Sequence, residues 1–359
     1  MSGLDVTAVR ADIPALNRLL YLNTGTVGPL PAPVRDAMVG ALDLDVAKGR
    51  ASGRRFARAA ERLDETRHLL AGLVGAQPEQ LALTSGTTDG IERVLSTQPW
   101  QPGDRVLTTA LEHPDVLTTI RHTADRHALT AVVVNADTAE DLTANLAREL
   151  AAGARLVVVS HVTFGAGLVL PLSKVIAAAH AQGARVLVDG AQAVGAIEID
   201  TLALGADFYA FPLQKWLLGP EGAGGLVVRD GAREIHSATP PAIWEGVRAA
   251  LLWRKGHGHQ RFSEAVRENA ARLRELLVGL PGVEVVTPGD QAGLVAVHVS
   301  GTDPLEVAKA LGRQRIATRG ITEIGAVRLS AGPFLTGGEL EQVACAVGNL
   351  ASEKGVLTW

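Results

Sequence analysis

The sequence predicts an α/β fold: a large domain on a mainly parallel sheet, followed by a small α+β C-terminal domain. Three observations predict it. Apolar runs rich in β-branched residues alternate with helical patterns through the first two thirds of the chain, as βαβ units require. The texture changes near residue 240. The length, 359 residues, exceeds one ordinary core and falls short of three.

In the first part, strands are expected at 81–84, 105–108, 131–134, 156–160, 186–188, 208–210 and 225–228, with helices at 115–127, 139–152 and 172–182 among them. These strands are nearly continuous hydrophobic runs, as in sheets covered by helices on both faces. In the second part, a long helical stretch broken at Gly256-His257-Gly258-His259 ends at Pro281-Gly282. Strands at 283–286 and 294–299, a helix at 304–313, a strand at 327–330 and a last helix from Gly338 follow. The domains expected are therefore 13–240 and 241–359, the latter joined by residues 1–12.

Composition narrows the function. Charged residues are 20%, hydrophobic residues 47% and the formal net charge is −4, which describes a globular chain and argues against a nucleic-acid partner. No apolar run approaches a membrane span and the N-terminus lacks a signal-peptide core, so a cytoplasmic location is expected. The one cysteine, Cys345, excludes an intramolecular disulfide and a multi-cysteine metal site. It sits at an apolar position of the last helix, where a buried structural thiol is expected. His257 and His259 read as a polar loop between helices rather than as metal ligands. Arg50, Arg54, Arg55 and Arg58 read as a solvated or dimer-contact helix face.

Three features fall at predicted strand ends, where open α/β sheets place ligands. Asp189 follows three buried apolar residues in VLVDGAQ; it is either an acid at the mouth of the sheet or an N-cap of the next helix. Lys215 lies just past a strand among Trp, Leu and Phe, before the glycine-rich GPEGAGG. It is either a snorkelling lysine or a desolvated amine of lowered pKa, fit to be a nucleophile. Thr84-Ser85-Gly86-Thr87-Thr88 opens a helix after a strand, as a simple cap or a phosphate seat.

Together these segments resemble the class V aminotransferase family of pyridoxal-phosphate (PLP) enzymes, which includes cysteine desulfurases, cyst(e)ine C–S lyases and isopenicillin-N-epimerase-like proteins. The resemblance runs from Tyr21-Leu22-Asn23-Thr24-Gly25 to the last helix, through SGTT, EHPD, SHVTFGAG, VDGAQAVG and QKWLLGPEGAGGL in that order. It implies the aspartate-aminotransferase-like architecture, PLP fold type I, with PLP held on Lys215 as a Schiff base. It further implies Asp189 at the pyridine nitrogen, His113 stacked on the ring and Gln192 at the ring oxygen. Thr87, Thr88 and Gln214 would hold the phosphate, with Thr239 reaching over from a second subunit of a homodimer. Arg328 would clamp the substrate carboxylate, a task suited to guanidinium, with Asn23 and Phe164 also facing the substrate.

The sequence departs from the family in three places. Pro212, Leu213 and Gln214 replace the hydroxyl residue, Gly and His that usually precede the lysine, which changes two phosphate contacts. Between Arg233 and Thr239 the chain is shorter than the family, which implies a more open substrate entrance or a different dimer contact. The loop Ile316-Ala317-Thr318-Arg319-Gly320-Ile321-Thr322-Glu323-Ile324-Gly325 holds no cysteine, against persulfide-forming desulfuration. Similarity to the C–S lyase branch is carried by Ser160-His161-Val162, Leu168-Val169-Leu170-Pro171-Leu172, Gln291-Ala292-Gly293-Leu294-Val295 and Gln314-Arg315-Ile316. It implies α,β-elimination on cysteine or an S-substituted cysteine, giving thiol, pyruvate and ammonia. Epimerisation, transamination and decarboxylating oxidation share the same apparatus, and a non-catalytic binding protein is the alternative from another class.

Overall fold

The computed structural model describes residues 3–135, 138–232, 239–289 and 292–355. Gln291 and residues 233–238 lie outside the described residues. Seven strands form the central sheet: β1 Leu81–Thr84, β2 Arg105–Thr109, β3 Thr130–Val134, β4 Leu156–Ser160, β5 Arg185–Asp189, β6 Phe208–Pro212 and β7 Gly224–Val228. Their spatial order is β1-β7-β6-β5-β4-β2-β3. Pairing is parallel from β6 through to β3, and only β7 runs the other way.

Strand alternation sends successive side chains to opposite faces. Val157 and Val159 of β4 therefore join Val186 and Val188 of β5 in one core layer, while Leu156, Val158 and Leu187 join the other. Both faces are covered, which is why these strands read as unbroken apolar runs. The same alternation has a consequence at the strand ends. Thr84, Ser160 and Asp189 each follow, two residues on, a member of the second layer (Ala82, Val158 and Leu187). Those polar residues thus emerge together on one face, at one edge of the sheet.

The C-terminal part carries a four-stranded antiparallel sheet of β8 Val283–Val285, β9 Leu294–Val299, β10 Arg319–Ile321 and β11 Ala326–Ser330, in the order β10-β11-β9-β8. Val295, Val297, Val327 and Leu329 bury one face in a separate core that also takes Val9, Ile13, Leu16 and Leu22 from the N-terminus. Alternation turns Arg328 and Ser330 to the other side, toward the large sheet. The helical stretch after residue 240 is two helices, Pro241–His257 and His259–Leu277, broken at Gly258 with φ 91°. No helix among the described residues is long and apolar enough to cross a membrane.

Cys345 corrects one expectation: its side chain is exposed, not buried. On its helix Leu340, Val343, Ala344 and Val347 form the buried stripe, whereas Glu341 and Gln342 face out. A residue four beyond Glu341 and three beyond Gln342 shares their solvent side. His257 packs edge-on against Trp253 and Phe262 with ring centroids 5.1 and 6.3 Å apart. No group of three His, Cys, Asp or Glu among the described residues could hold a metal ion.

Candidate active site

The polar strand ends open into a cavity of about 460 Å³ between the large sheet and the loop-and-sheet face that carries Arg328. Lys215, Asp189, His113, Gln192, Gln214, Thr87, Thr88, Phe164 and Arg328 all line it. One residue expected there does not: Asn23 stands behind Thr26, whose hydroxyl donates to it. Thr239, expected at a second subunit's site, has its hydroxyl donating to the Gly222 carbonyl at 3.1 Å.

Lys215 sits on a tight turn after β6. The Leu218 N–H donates back to the Lys215 carbonyl at 3.1 Å, and Leu218 itself takes a left-handed conformation, φ 57°. A bulky residue there costs about 1–2 kcal/mol, offset by Leu218 burying its side chain in the C-terminal core. The loop after Asn23 crosses this turn: the Gly28 N–H donates to the Gln214 carbonyl at 2.7 Å. A Cβ at Gly28 would stand 2.4 Å from the Lys215 carbonyl oxygen, so only glycine fits the crossing. The Lys215 amine keeps partial solvent access through the cavity while protein packs around it. Burial draws its pKa down to about 8, with Asp189 pulling upward and Arg328 and Arg319 pushing further down.

Asp189 is buried, and its Oδ1 accepts from the Ala191 N–H at 2.8 Å. Burial raises its pKa and the Lys215 charge opposes the rise, so a cation beside it would restore the carboxylate. His113 caps the helix Pro114–His127, its Nδ1 accepting from the Asp115 N–H at 3.2 Å. That bond fixes a neutral ring with its proton on Nε2. Burial keeps the ring's pKa below the ordinary value. Gln192 donates to the Gly25 carbonyl at 2.8 Å and accepts from Trp216 Nε1 at 3.0 Å, which leaves one amide N–H for a ligand.

The fit to PLP can be judged from the unsatisfied groups. Thr87 Oγ1 and Gln214 Oε1 are buried without a hydrogen-bond partner. The helix Thr87–Thr97 starts at Gly86 with no side-chain cap. The Thr87 hydroxyl and the bare helix N-terminus make a phosphate seat, to which the Gln214 amide can add only its NH2 group, since its oxygen is an acceptor. Arg328 is 1% exposed. Its Nη1 donates to the Phe164 carbonyl and its Nη2 to Thr26 Oγ1 at 2.9 Å, while Nε has no partner. A buried guanidinium with no carboxylate is a site for an anionic ligand; burial pulls its pKa down to about 9, helped by Arg319. These residues fit both the cofactor and an amino-acid carboxylate.

Sequence reasoning missed four groups. Arg319 lines the same cavity, its Nη1 donating to Thr26 Oγ1 at 3.4 Å. Thr26 is the hinge of this corner. Its hydroxyl donates to Asn23 Oδ1 at 2.7 Å, which turns its lone pairs to both arginines, so Asn23 acts through Thr26. Glu112 is fully buried behind the cavity wall, taking bonds from Thr109 Oγ1 at 2.7 Å and from the Ser160 hydroxyl at 2.6 Å and N–H at 3.1 Å. Burial pushes its pKa up to about 7, and Asp189 adds to the rise. His161 shares a 2.8 Å hydrogen bond with the Tyr209 hydroxyl, and burial holds its pKa down at about 4. Glu112 had a signal, its place immediately before His113 in EHPD.

Fold and cavity together define an α/β protein with a half-buried lysine and a buried acid on one cavity at the carboxyl edge of its sheet. Residues 20–240 match the family described as aminotransferase class-V, and the chain belongs to that family. Among relatives, a probable cysteine desulfurase of Mycolicibacterium paratuberculosis is 28% identical over an alignment of 362 residues, gaps included, that covers 88% of this chain and 52% of that protein. The chain thus spans about half of that relative's length. An isopenicillin N epimerase of Amycolatopsis lactamdurans is 30% identical over an alignment of 309 residues, gaps included, that covers 74% of this chain and 77% of that protein. Among solved structures, a lysine-to-alanine mutant of C-DES with glycine covalently linked to the PLP cofactor superimposes with a TM-score of 0.89. It is 26% identical and covers 95% of this chain and 99% of that one. The cystine C–S lyase C-DES in complex with its reaction product, cysteine persulfide, gives a TM-score of 0.88 at 27% identity, covering 94% and 99%.

Proposed function

We propose that this chain is a PLP-dependent C–S lyase that performs α,β-elimination on cysteine or an S-substituted cysteine, releasing thiol, pyruvate and ammonia. The observation that carries this reading is the convergence of Lys215, Asp189 and Arg328 on one cavity whose walls include no thiol. Cys345, the sole cysteine, is exposed on the last helix instead. Likeness to C-DES, a cystine C–S lyase with a PLP cofactor, supports both the cofactor and the reaction.

PLP, when bound, supplies an electron sink for charge developing at the substrate α-carbon. The chain's own groups do the rest. Arg328 grips the α-carboxylate with its free Nε–H. The Lys215 amine, neutral often enough because of its lowered pKa, takes the α-proton. The C–H electron pair becomes the Cα–Cβ π bond as the Cβ–S pair leaves on sulfur. Asp189 would hold a proton at the ring nitrogen and the neutral His113 ring would lie against the cofactor. Gln192 would donate to the ring oxygen, and Thr87, Thr88 and Gln214 would hold the phosphate. Arg319, at the outer wall, gives a second cationic contact and favours substrates with a distal carboxylate, such as cystine.

The test is a panel of L-cystine and S-alkyl- and S-carboxyalkyl-cysteines, with pyruvate and thiol measured together. Pyruvate equal to the thiol released from an S-alkyl-cysteine, or to the cysteine persulfide released from L-cystine, supports the reading, water turning the other product into pyruvate and ammonia. Exchange of the α-hydrogen with solvent but no pyruvate moves the assignment to epimerase, and amino-group transfer moves it to aminotransferase. The pH dependence of cofactor capture is a separate check. Attack by Lys215 requires the unprotonated amine, whose fraction rises with pH through about 8. The rate of PLP uptake by apoprotein should therefore climb from pH 6 and level off above about 8.5. A midpoint near the ordinary lysine value would contradict the burial argument.

The remaining expectations join this proposal. We take the domain division at Pro240, with residues 1–12 in the C-terminal unit; Val9, packed in that unit's core, supports this, and Ile13, Leu16 and Leu22 in the same core carry the N-terminal contribution beyond residue 12. We place the chain in the cytoplasm as a homodimer with shared active sites; self-association is supported by exposed Val39, Leu42 and Val46 on one face of the helix Ala32–Lys48, with Phe56 exposed on the next helix. Arg55 is tied to Asp45 at 2.6 Å between these helices. Sedimentation at micromolar concentration should give twice the chain mass, and a monomer with full activity would remove the shared-site reading.

A further inference from the structure

A second cavity, of about 570 Å³, lies behind the Lys215 turn, between the helix Gly53–Val74, residues 194–199 and the break at Gly258. Leu69, Leu73, Ile197 and Ile199 give it an apolar side, all of them partly exposed. Arg254, Lys255 and His259 form the other side.

Arg254 is the unusual member. It is 1% exposed, and none of the ion pairs among the described residues includes it. Its charge is met by an aromatic face, with the guanidinium carbon 4.3 Å from the Phe262 ring centroid. Two backbone carbonyls add to this: Nη1 donates to Trp216 at 3.0 Å and Nη2 to Gly195 at 2.7 Å. Nε is buried and has no partner. The 19-residue helix His259–Leu277 begins beside it, at Gly258, with no side-chain cap. An uncompensated buried cation next to an uncapped helix N-terminus attracts an anion for two independent reasons. The cationic neighbourhood also registers on His259, whose pKa is lowered to about 4 by burial, Arg254 and Lys255. Glu198, at the rim, opposes an anion and is exposed to solvent.

We propose that this cavity binds an organic anion, a carboxylate or phosphate head with a short apolar body, whose head group meets Arg254, Lys255 and the start of the His259–Leu277 helix. The occupant touches the active site through one residue. Arg254 holds the Trp216 carbonyl, directly after Lys215 in the chain, and Trp216 Nε1 donates to Gln192. Occupancy therefore bears on the turn that carries the lysine.

Calorimetric titration of the holoenzyme with hexanoate and hexyl phosphate tests this, with acetate and inorganic phosphate as bodiless controls. One saturable equivalent per chain is expected for at least one long probe, at least about 10-fold tighter than its control, since two buried methylenes at roughly four-fold each already give about 16-fold. Whichever long probe binds identifies the head group. Lys255→Met, at an exposed position that tolerates the change, should weaken binding about 5-fold, and Arg254→Met more. Arg328→Met should leave it intact. Absence of saturable binding by both long probes would overturn the proposal. So would binding that Arg328→Met abolishes while Lys255→Met and Arg254→Met leave it unchanged, because the anion would then sit in the active site.

Discussion

Replacing Lys215 by alanine is expected to abolish covalent attachment of PLP and to lower the elimination rate by at least about 1,000-fold, the scale of a lost general base compounded by a lost anchor. The protein should stay folded. Lys215 makes no ion pair among the described residues, and its amine is unfavourably desolvated in place. Melting temperature should therefore hold or rise slightly. The phosphate seat at Thr87, Thr88 and Gln214 does not depend on the lysine, so the variant should still bind PLP reversibly. Added methylamine should restore part of the rate by supplying an amine to the vacated space. A variant that loses PLP affinity together with its fold would mean that the lysine is structural.

Arg328→Met should reduce kcat/KM for amino-acid substrates by about 100- to 1,000-fold, the usual cost of losing one member of a buried charge pair. The absorbance of bound PLP should be unaffected, because Arg328 meets the substrate side of the cavity. Arg328→Lys should recover little. An ammonium keeps the charge but loses the planar fork that lets Arg328 hold the Phe164 carbonyl and Thr26 while presenting Nε. Stability should not fall far, since the guanidinium is buried without a carboxylate. The steady-state constants of both variants, measured with L-cystine, check the argument. An effect confined to kcat, with KM and cofactor absorbance unchanged, would place Arg328 outside carboxylate binding.

The large sheet was legible because its strands are buried on both faces, and hydrophobic runs mark such strands directly. Their ends were less so. β2, β5 and β6 each extend to a residue the apolar run does not include, Thr109, Asp189 and Pro212. Backbone pairing and burial continue there beyond the apolar residues that mark the strand in sequence. The residues that gather at the cavity were legible from strand ends and from family resemblance, whereas their supports were not. Glu112 looks like a solvated acid in sequence, and only the close approach of Thr109 and Ser160 reveals it as buried. Thr26, Arg319 and Arg328 meet across some 300 residues of chain, a contact no local pattern encodes. Cys345 misled for a simpler reason: its neighbours are apolar, but helical spacing turns it to the side of Glu341.

Reduction of the holoenzyme with borohydride, followed by peptide mass mapping, tests the central claim most directly. The account predicts one equivalent of reduced PLP on the peptide that contains Lys215. Label on another lysine, or no label on protein saturated with PLP, would contradict it.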